Sequence, residues 1–280
     1  MSIAGAVLRG RAALEAAGCD TPRLDAELLA AAALGLTRER LLLERDTALD
    51  PGALDRFEAL LIRRVAREPV AYILGRKGFR QIWLAVDRRV LIPRPETELL
   101  VEVGLTLGAG AAVVDVGTGS GAVALALKDE RPDLSVCGTD VSADALVVAR
   151  ENALRLGLDV SFVEVDLLHG AECDAVLANL PYVVDGAPLQ PEIAIYEPPR
   201  ALFAGADGLE VIRRLVAILS RRPQEAHGNL ARGRRVSLLA LEVAPEQAAA
   251  VGSLVRGGGF RSVATLRDLA GRGRVVVGRR

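Results

Sequence analysis

Aromatic residues make up only 3% of the 280 positions, which leaves little material for a base-stacking platform of the kind that single-stranded nucleic-acid binders use. Three cysteines, Cys19, Cys137 and Cys173, are scattered without C-x-x-C spacing, and the histidines are His169 and His227 alone. A disulfide framework and a zinc site are therefore both disfavoured, and no metal is expected. No apolar run approaches the ~20 residues that span a bilayer, and Arg9, Arg11 and Glu15 interrupt any signal-peptide pattern. A cytoplasmic protein without a membrane partner is expected. Lysine is almost absent too, at Lys77 and Lys128 only, so arginine carries the positive charge.

What is present suits a folded chain. Hydrophobic residues at 51% and charged residues at 25% are enough to bury a core, and the length accommodates one ordinary domain and one small one. The net charge of -1 is unevenly spread: residues 211–280 hold 14 arginines against Glu225, Glu242, Glu246 and Asp268, a net of +10, which leaves -11 on residues 1–210. Such asymmetry can mark a nucleic-acid surface or simply solvated helix faces.

Residues 1–70 carry apolar positions at helical spacing over Ile3–Ala17, Pro22–Leu34, Arg38–Glu44 and Gly52–Arg67, with Thr21-Pro22 and Asp50-Pro51 as starts. This predicts an all-helical N-terminal domain over 1–75, able to dock a partner. Alternation from Phe79 to Ile92 around Asp87-Arg88 predicts a β-hairpin, within a linker over 76–94. From 95 to 280 strands and helices alternate: strand patterns end at Val116, Thr139, Val165 and Ala178, then, after a longer loop, come a helix over Gly208–Arg221, a strand over Val236–Val243, a helix over Pro245–Arg256 and two last strands. Residues 223–235 look like a Gly/Arg-rich insertion. The fold class expected is α/β, a mostly parallel doubly wound sheet with ligands beyond the carboxyl ends of its strands.

Two loops at those ends carry the chemistry. Gly117-Thr118-Gly119-Ser120-Gly121 joins a strand to a helix, and three glycines there suit close approach of a ligand. The pattern also fits a dinucleotide fingerprint, with Asp140 about 20 residues on as a ribose acceptor. The third glycine at 121, and a second acid, Asp166, after the next strand, favour the adenosine and amino-acid parts of S-adenosylmethionine instead. Asp140 then accepts from the ribose, Asp166 from the adenine amino group, and Leu167 walls the adenine slot.

The second loop is Asn179-Leu180-Pro181-Tyr182. A planar NH2 is a poor nucleophile because its lone pair is delocalised. Accepting both of its N–H groups aligns the nitrogen and stabilises the positive charge that develops on it. The Asn179 side-chain oxygen and the Leu180 carbonyl, turned outward ahead of Pro181, are two such acceptors, and Tyr182 can lie face-on against the flat group. An ordinary turn after a strand would also use Asn and Pro. Together the loops point to direct, in-line methyl transfer to a planar nitrogen, with no metal and no covalent enzyme intermediate, and without the need for a strong general base.

The chain resembles the HemK/PrmC protein-glutamine N5-methyltransferases over nearly its whole length. The likeness rests on Arg23–Leu29, Glu68–Gly75, the Leu91-Ile92-Pro93-Arg94-Pro95-Glu96-Thr97-Glu98 run, Asp115–Gly121, Tyr196-Glu197-Pro198, Asp207-Gly208-Leu209 and Asp268–Arg272. It implies a Rossmann-like class I S-adenosylmethionine-dependent methyltransferase sheet, with Gly117 to Gly121, Asp140, Leu167 and Asn179 at the donor. It also implies that Asn179 to Tyr182 hold the glutamine of the Gly-Gly-Gln motif of class I peptide chain release factors, with nucleic acid not required. The family's tetrapeptide is usually N-P-P-Y, and Leu180 departs from it. N-L-P-Y is also similar to the tetrapeptide of ribosomal-RNA adenine dimethyltransferases, so an adenine-N6 methyltransferase acting on RNA or DNA is the alternative. A nucleotide-binding module or NAD-linked oxidoreductase is a second.

Overall fold

The computed structural model describes residues 1–168, 172–220 and 236–280. In chain order these form α1 (Ile3–Ala16), α2 (Pro22–Leu34), α3 (Arg38–Leu43), α4 (Pro51–Val65), α5 (Val70–Leu74), β1 (Arg76–Phe79), β2 (Ile82–Ala85), α6 (Glu98–Leu105), β3 (Ala112–Val116), α7 (Ala122–Glu130), β4 (Ser135–Asp140), α8 (Ala143–Leu156), β5 (Ser161–Glu164), β6 (Ala175–Ala178), α9 (Pro191–Tyr196), α10 (Glu210–Ser220), β7 (Leu238–Glu242), α11 (Ala248–Gly257), β8 (Ser262–Arg267) and β9 (Gly273–Arg279). They fall into two compact units, residues 1–76 with 189–197 and residues 77–188 with 198–280. No helix among the described residues is long and apolar enough to cross a membrane.

The smaller unit holds α1 to α5 and α9. The Ser2 and Asp50 side chains accept from Gly5 N and Ala53 N, Pro22 and Pro51 take first-turn positions where a missing N–H is harmless, and Gly35 ends α2 at φ 67°. Apolar faces meet around Leu14, Leu29, Leu41 and Phe57. A Cβ on Gly10 would lie 2.7 Å from the Phe57 ring, so glycine lets α1 approach α4. Charge is buried here as well. Arg64 donates through Nε to Asp25 Oδ2 at 2.7 Å and through Nη2 to Glu192 Oε1 at 2.8 Å, and Arg67 Nη2 reaches Glu192 Oε2 at 2.6 Å. Glu192 stands on α9, so residues 189–197, which the sequence presents as part of a long loop in the larger domain, belong to the helical unit.

The larger unit is built on a seven-stranded sheet in the order β5-β4-β3-β6-β7-β9-β8. β3 runs parallel to both β4 and β6, β4 to β5 and β6 to β7, while β9 is antiparallel to β7 and β8. All four residues of β6 and all five of β7 are buried, as continuous strands covered on both faces must be. Strand order reverses between β3 and β6, the position where ligands collect in such sheets. The two segments leaving the sheet there are Gly117 onward and Asn179 onward.

One sequence expectation needs correcting. The small two-stranded sheet turns at Arg80-Gln81, not at Asp87-Arg88, with β1 supplying a first strand, Arg-Lys-Gly-Phe, that has almost no apolar alternation. Val86, Val90 and Ile92 are buried as their pattern implies, but Asp87 Oδ1 accepts from Arg89 N and Asp87 O from Val90 N, which closes a local turn where a ladder was expected. Gly208, at φ 70°, keeps α10 from starting before Glu210. The insertion at 223–235, Arg221 and both histidines lie outside the described residues.

Candidate active site

β3 delivers its last buried residue, Val116, and the chain then turns through Gly117, Gly119 and Gly121 at φ 73°, 56° and 83°. Only glycine takes three such values cheaply. The loop is pinned from below: Gly117 N and Thr118 N both donate to Thr139 O, and the Thr118 hydroxyl donates to Asp115 Oδ2 at 2.6 Å. Asp115 is buried, also accepts from Ala124 N, and is pushed up to about 7 by burial. From the side, Asn152 donates to Ser120 O and exchanges bonds with both backbone groups of Ala85, tying the loop to β2.

The glycines face different surroundings. A Cβ at Gly119 would meet nothing within 4 Å, so that side is open, whereas at Gly121 it would strike Leu125 at 2.9 Å. At Gly117 it would lie 3.2 Å from Leu180 Cδ2 and 3.6 Å from Asn179 O. The glycine loop and the Asn179 loop are thus neighbours. Asn179, Gly117, Gly119 and Asp140 line one cavity of about 330 Å³. A second, of about 290 Å³, shares Gly117 and Asp140 and adds Asp166, Leu167, Leu180 and Pro181, with Arg200 bordering both. A larger space of about 470 Å³ lies beyond Glu96, against Leu99 and the β8–β9 turn, and touches none of the loop glycines.

Asp140 ends β4 with its Oδ2 accepting from Gly119 N and its Oδ1 from Ser142 N, both at 2.9 Å. Burial raises its pKa, against those bonds and the positive charge of Arg200. Asp166 is half exposed and ion-paired with Arg214. Leu167 is buried at φ 64°, a costly conformation for leucine, with its carbonyl accepting from Thr139 Oγ1 at 2.9 Å.

The Asn179 loop is held by residues that its own sequence does not announce. Asn179 Nδ2 donates to Thr97 Oγ1 at 3.1 Å. Tyr182 donates its hydroxyl to Glu242 Oε1 at 3.4 Å, and its carbonyl accepts from Gln247 Nε2 at 2.9 Å. Thr97 bonds the Glu242 carboxyl in turn, and burial pushes that carboxyl up to about 7. Arg274 reaches Asp268 at 3.1 Å and Glu96 at 3.4 Å, and its charge offsets part of the burial effect on both Glu242 and Tyr182. Asp268, bonded by Arg272 N and the Arg274 guanidinium, is held down to about 2. Four C-terminal arginines are therefore already paired with acids: Arg213 with Asp207, Arg214 with Asp166, and Arg272 and Arg274 with Asp268. Among the described residues no group of three or more His, Cys, Asp or Glu is placed to hold a metal ion.

The structure therefore brings Gly117, Gly119, Asp140, Asp166, Leu167, Asn179, Leu180 and Pro181 to adjoining cavities, while Thr118, Ser120 and Gly121 serve the loop from behind. Thr97, Arg200, Gly208, Glu242, Gln247 and Arg274 were not singled out in the sequence for a role here. The available signal was a lone charged residue in the strand Leu-Leu-Ala-Leu-Glu-Val, where nothing apolar is gained by an acid.

Methyltransferases share this architecture. The catalytic domain of hMettl16, solved with a MAT2A 3'UTR hairpin, is similar in fold at a TM-score of 0.55 and 16% identity, over 79% of this chain and 81% of that one. Residues 95–196 match the methyltransferase small domain. The class is thus a Rossmann-like methyltransferase. Residues 6–75 match the PrmC N-terminal domain. A release factor glutamine methyltransferase of Mycolicibacterium smegmatis is 40% identical over 98% of this chain and 96% of its own length, and one of Deinococcus radiodurans is 39% identical over 100% and 99%. The chain belongs to the release factor glutamine methyltransferase family.

Proposed function

We propose that this enzyme transfers a methyl group from S-adenosylmethionine to the side-chain N5 of the glutamine in the Gly-Gly-Gln motif of class I peptide chain release factors. The observation that carries the reading is the sense of the Asn179 amide. With its NH2 bonded to Thr97 Oγ1 at 3.1 Å, the carbonyl end is left to accept, beside the glycine loop and in the same cavity. The two adjoining cavities fit the donor: Gly119 offers open backbone, Asp140 and Asp166 offer carboxylates, and Leu167 and Leu180 offer apolar walls. When bound, S-adenosylmethionine supplies a methyl group activated by a sulfonium centre.

The chain's own residues then act on the acceptor. Asn179 Oδ1 and the Leu180 carbonyl take the two N–H groups of the glutamine amide, which fixes the nitrogen and stabilises its developing positive charge. Tyr182 covers the flat amide. Leu180 serves through its backbone, so replacing the family's usual proline preserves the acceptor. The nitrogen sheds its surplus proton after it has gained the methyl group, so no strong base is required. A translation factor as substrate puts the reaction in the cytoplasm.

The test is to incubate the chain with labelled donor and either a class I release factor or RNA, and to locate the methyl by mass spectrometry. Label on the Gly-Gly-Gln glutamine is expected. Label in RNA alone would overturn the assignment in favour of an adenine-N6 methyltransferase.

A further inference from the structure

Glu242 ends β7 one residue after Leu241, whose parallel partner on β6 is Ala178, so Glu242 and Asn179 leave adjacent strands side by side. The Glu242 side chain is buried, and its Oε2 has no hydrogen-bond partner among the described residues. An acid placed there costs stability unless something else requires it. The groups around it are the Thr97 and Tyr182 hydroxyls, Arg274 on β9 and Glu96 in the turn before α6, with Arg94 acting on Tyr182. Thr97 links Glu242 directly to the Asn179 amide.

Building on the function proposed above, we infer that Glu242 is the positioning residue of the acceptor loop: acting through the Thr97 hydroxyl, it dictates which end of the Asn179 amide faces the substrate. Hydrogen-bond polarity enforces this. A carboxylate can only accept, so the Thr97 hydroxyl must spend its one proton on Glu242. Its lone pair is then presented to Asn179, which can answer only with N–H, and Asn179 Oδ1 points the other way. A neutral Glu242 loses this control. As an acid it can donate to Thr97, Thr97 can then donate to Asn179, and the amide can turn over to present N–H groups to the reacting nitrogen of the substrate, which itself brings only N–H. The relation is the one by which outer hydrogen-bond partners orient metal-ligating side chains.

Glu242→Gln has nearly the same shape but both a donor and an acceptor end, so it removes the control without opening a hole. We expect it to lower kcat on a release factor roughly 10- to 100-fold, the range for losing a hydrogen bond to a charged group, with KM and donor affinity changed less than about threefold. Thr97→Val should lose a similar factor, and Thr97→Ser, which keeps the hydroxyl, should recover to within about threefold of the unaltered enzyme. Turnover of the unaltered enzyme should rise with pH as Glu242 ionises near 7. That limb should vanish in Glu242→Gln. Donor affinity measured by calorimetry reports whether each variant is folded, and if Glu242→Gln does not fold, the Thr97 pair carries the test alone. No glutamine methylation by the unaltered chain would refute the functional reading. Methylation by the unaltered chain, together with Glu242→Gln at undiminished kcat and unchanged pH profile, or Thr97→Val as active as Thr97→Ser, would refute this inference alone.

Discussion

Gly208→Ala is a one-carbon change outside both cavities proposed for the donor, and its cost can be worked from the geometry. Gly208 sits at φ 70°, and a Cβ there would lie 2.3 Å from the Tyr182 carbonyl oxygen and 2.6 Å from Gln247 Nε2. Ordinary contact begins near 3.4 Å, so Tyr182 O must retreat by about 1 Å or the turn must open. The strained alanine and the weakened Gln247–Tyr182 bond together should cost about 1–3 kcal/mol of stability. The larger effect falls on catalysis. Displacing the backbone that ends the Asn179–Tyr182 loop by about 1 Å should lower kcat roughly 10²-fold. Donor affinity should hold, because Gly208 borders neither of the cavities proposed for the donor. The assay is methylation of a release factor at saturating donor, with donor Kd by calorimetry and a urea melt beside it. A variant with kcat within about threefold of the unaltered enzyme would show that the Gly208 contact does not set the acceptor loop, and the reasoning would fail.

Asn179→Ala should lose roughly 10²–10³ in kcat, comparable to one oxyanion-type contact, while keeping much of the donor affinity; near-normal turnover would remove Asn179 from its assigned role. Arg64→Ala leaves Asp25 and Glu192 without their shared buried partner and should destabilise the helical unit by about 3–5 kcal/mol, measured by urea denaturation, with earlier proteolysis within 189–197. Asp115, buried and raised to about 7, binds a proton more tightly folded than unfolded, so its contribution to stability is fully present below about pH 4 and is lost as pH rises through 7. Asp115→Asn should therefore gain on the unaltered protein between pH 5 and pH 8 in urea midpoint; a pH-independent difference would count against a neutral Asp115.

The larger sheet was legible because strands covered on both faces appear as uninterrupted apolar runs, such as Ala175–Ala178, and because Gly117, Asp140 and Asn179 fall at their ends. The cap at Asp50 was readable because it is local, one residue acting on a neighbour three positions on, whereas Thr21, read in the same way, makes no such cap and gives its hydroxyl proton to Asp25. What escaped was nonlocal or weakly patterned. β1 has a single buried apolar side chain, Phe79, so its pairing with β2 left no alternation to find. α9 is six residues with none fully buried, and it is held by Arg64 and Arg67 from far back in the chain. Leu167 adopts a left-handed backbone that its identity argues against. The Glu242–Thr97–Asn179 chain joins residues 82 positions apart at Thr97 and Asn179 alone, and no spacing rule reaches that far.

The ion pair from Arg64 to Glu192 spans 128 positions. During synthesis at about 5–20 residues per second, α1 to α5 emerge first, with Asp25 already present as one partner of Arg64, and then wait roughly 6 to 25 seconds before the ribosome supplies its second acid, Glu192. The N-terminal helices are thus finished late, by a segment born after the glycine loop and the first four strands of the main sheet. A nascent chain stalled before residue 192 should be measurably easier to cleave within its first 76 residues than one stalled after 197.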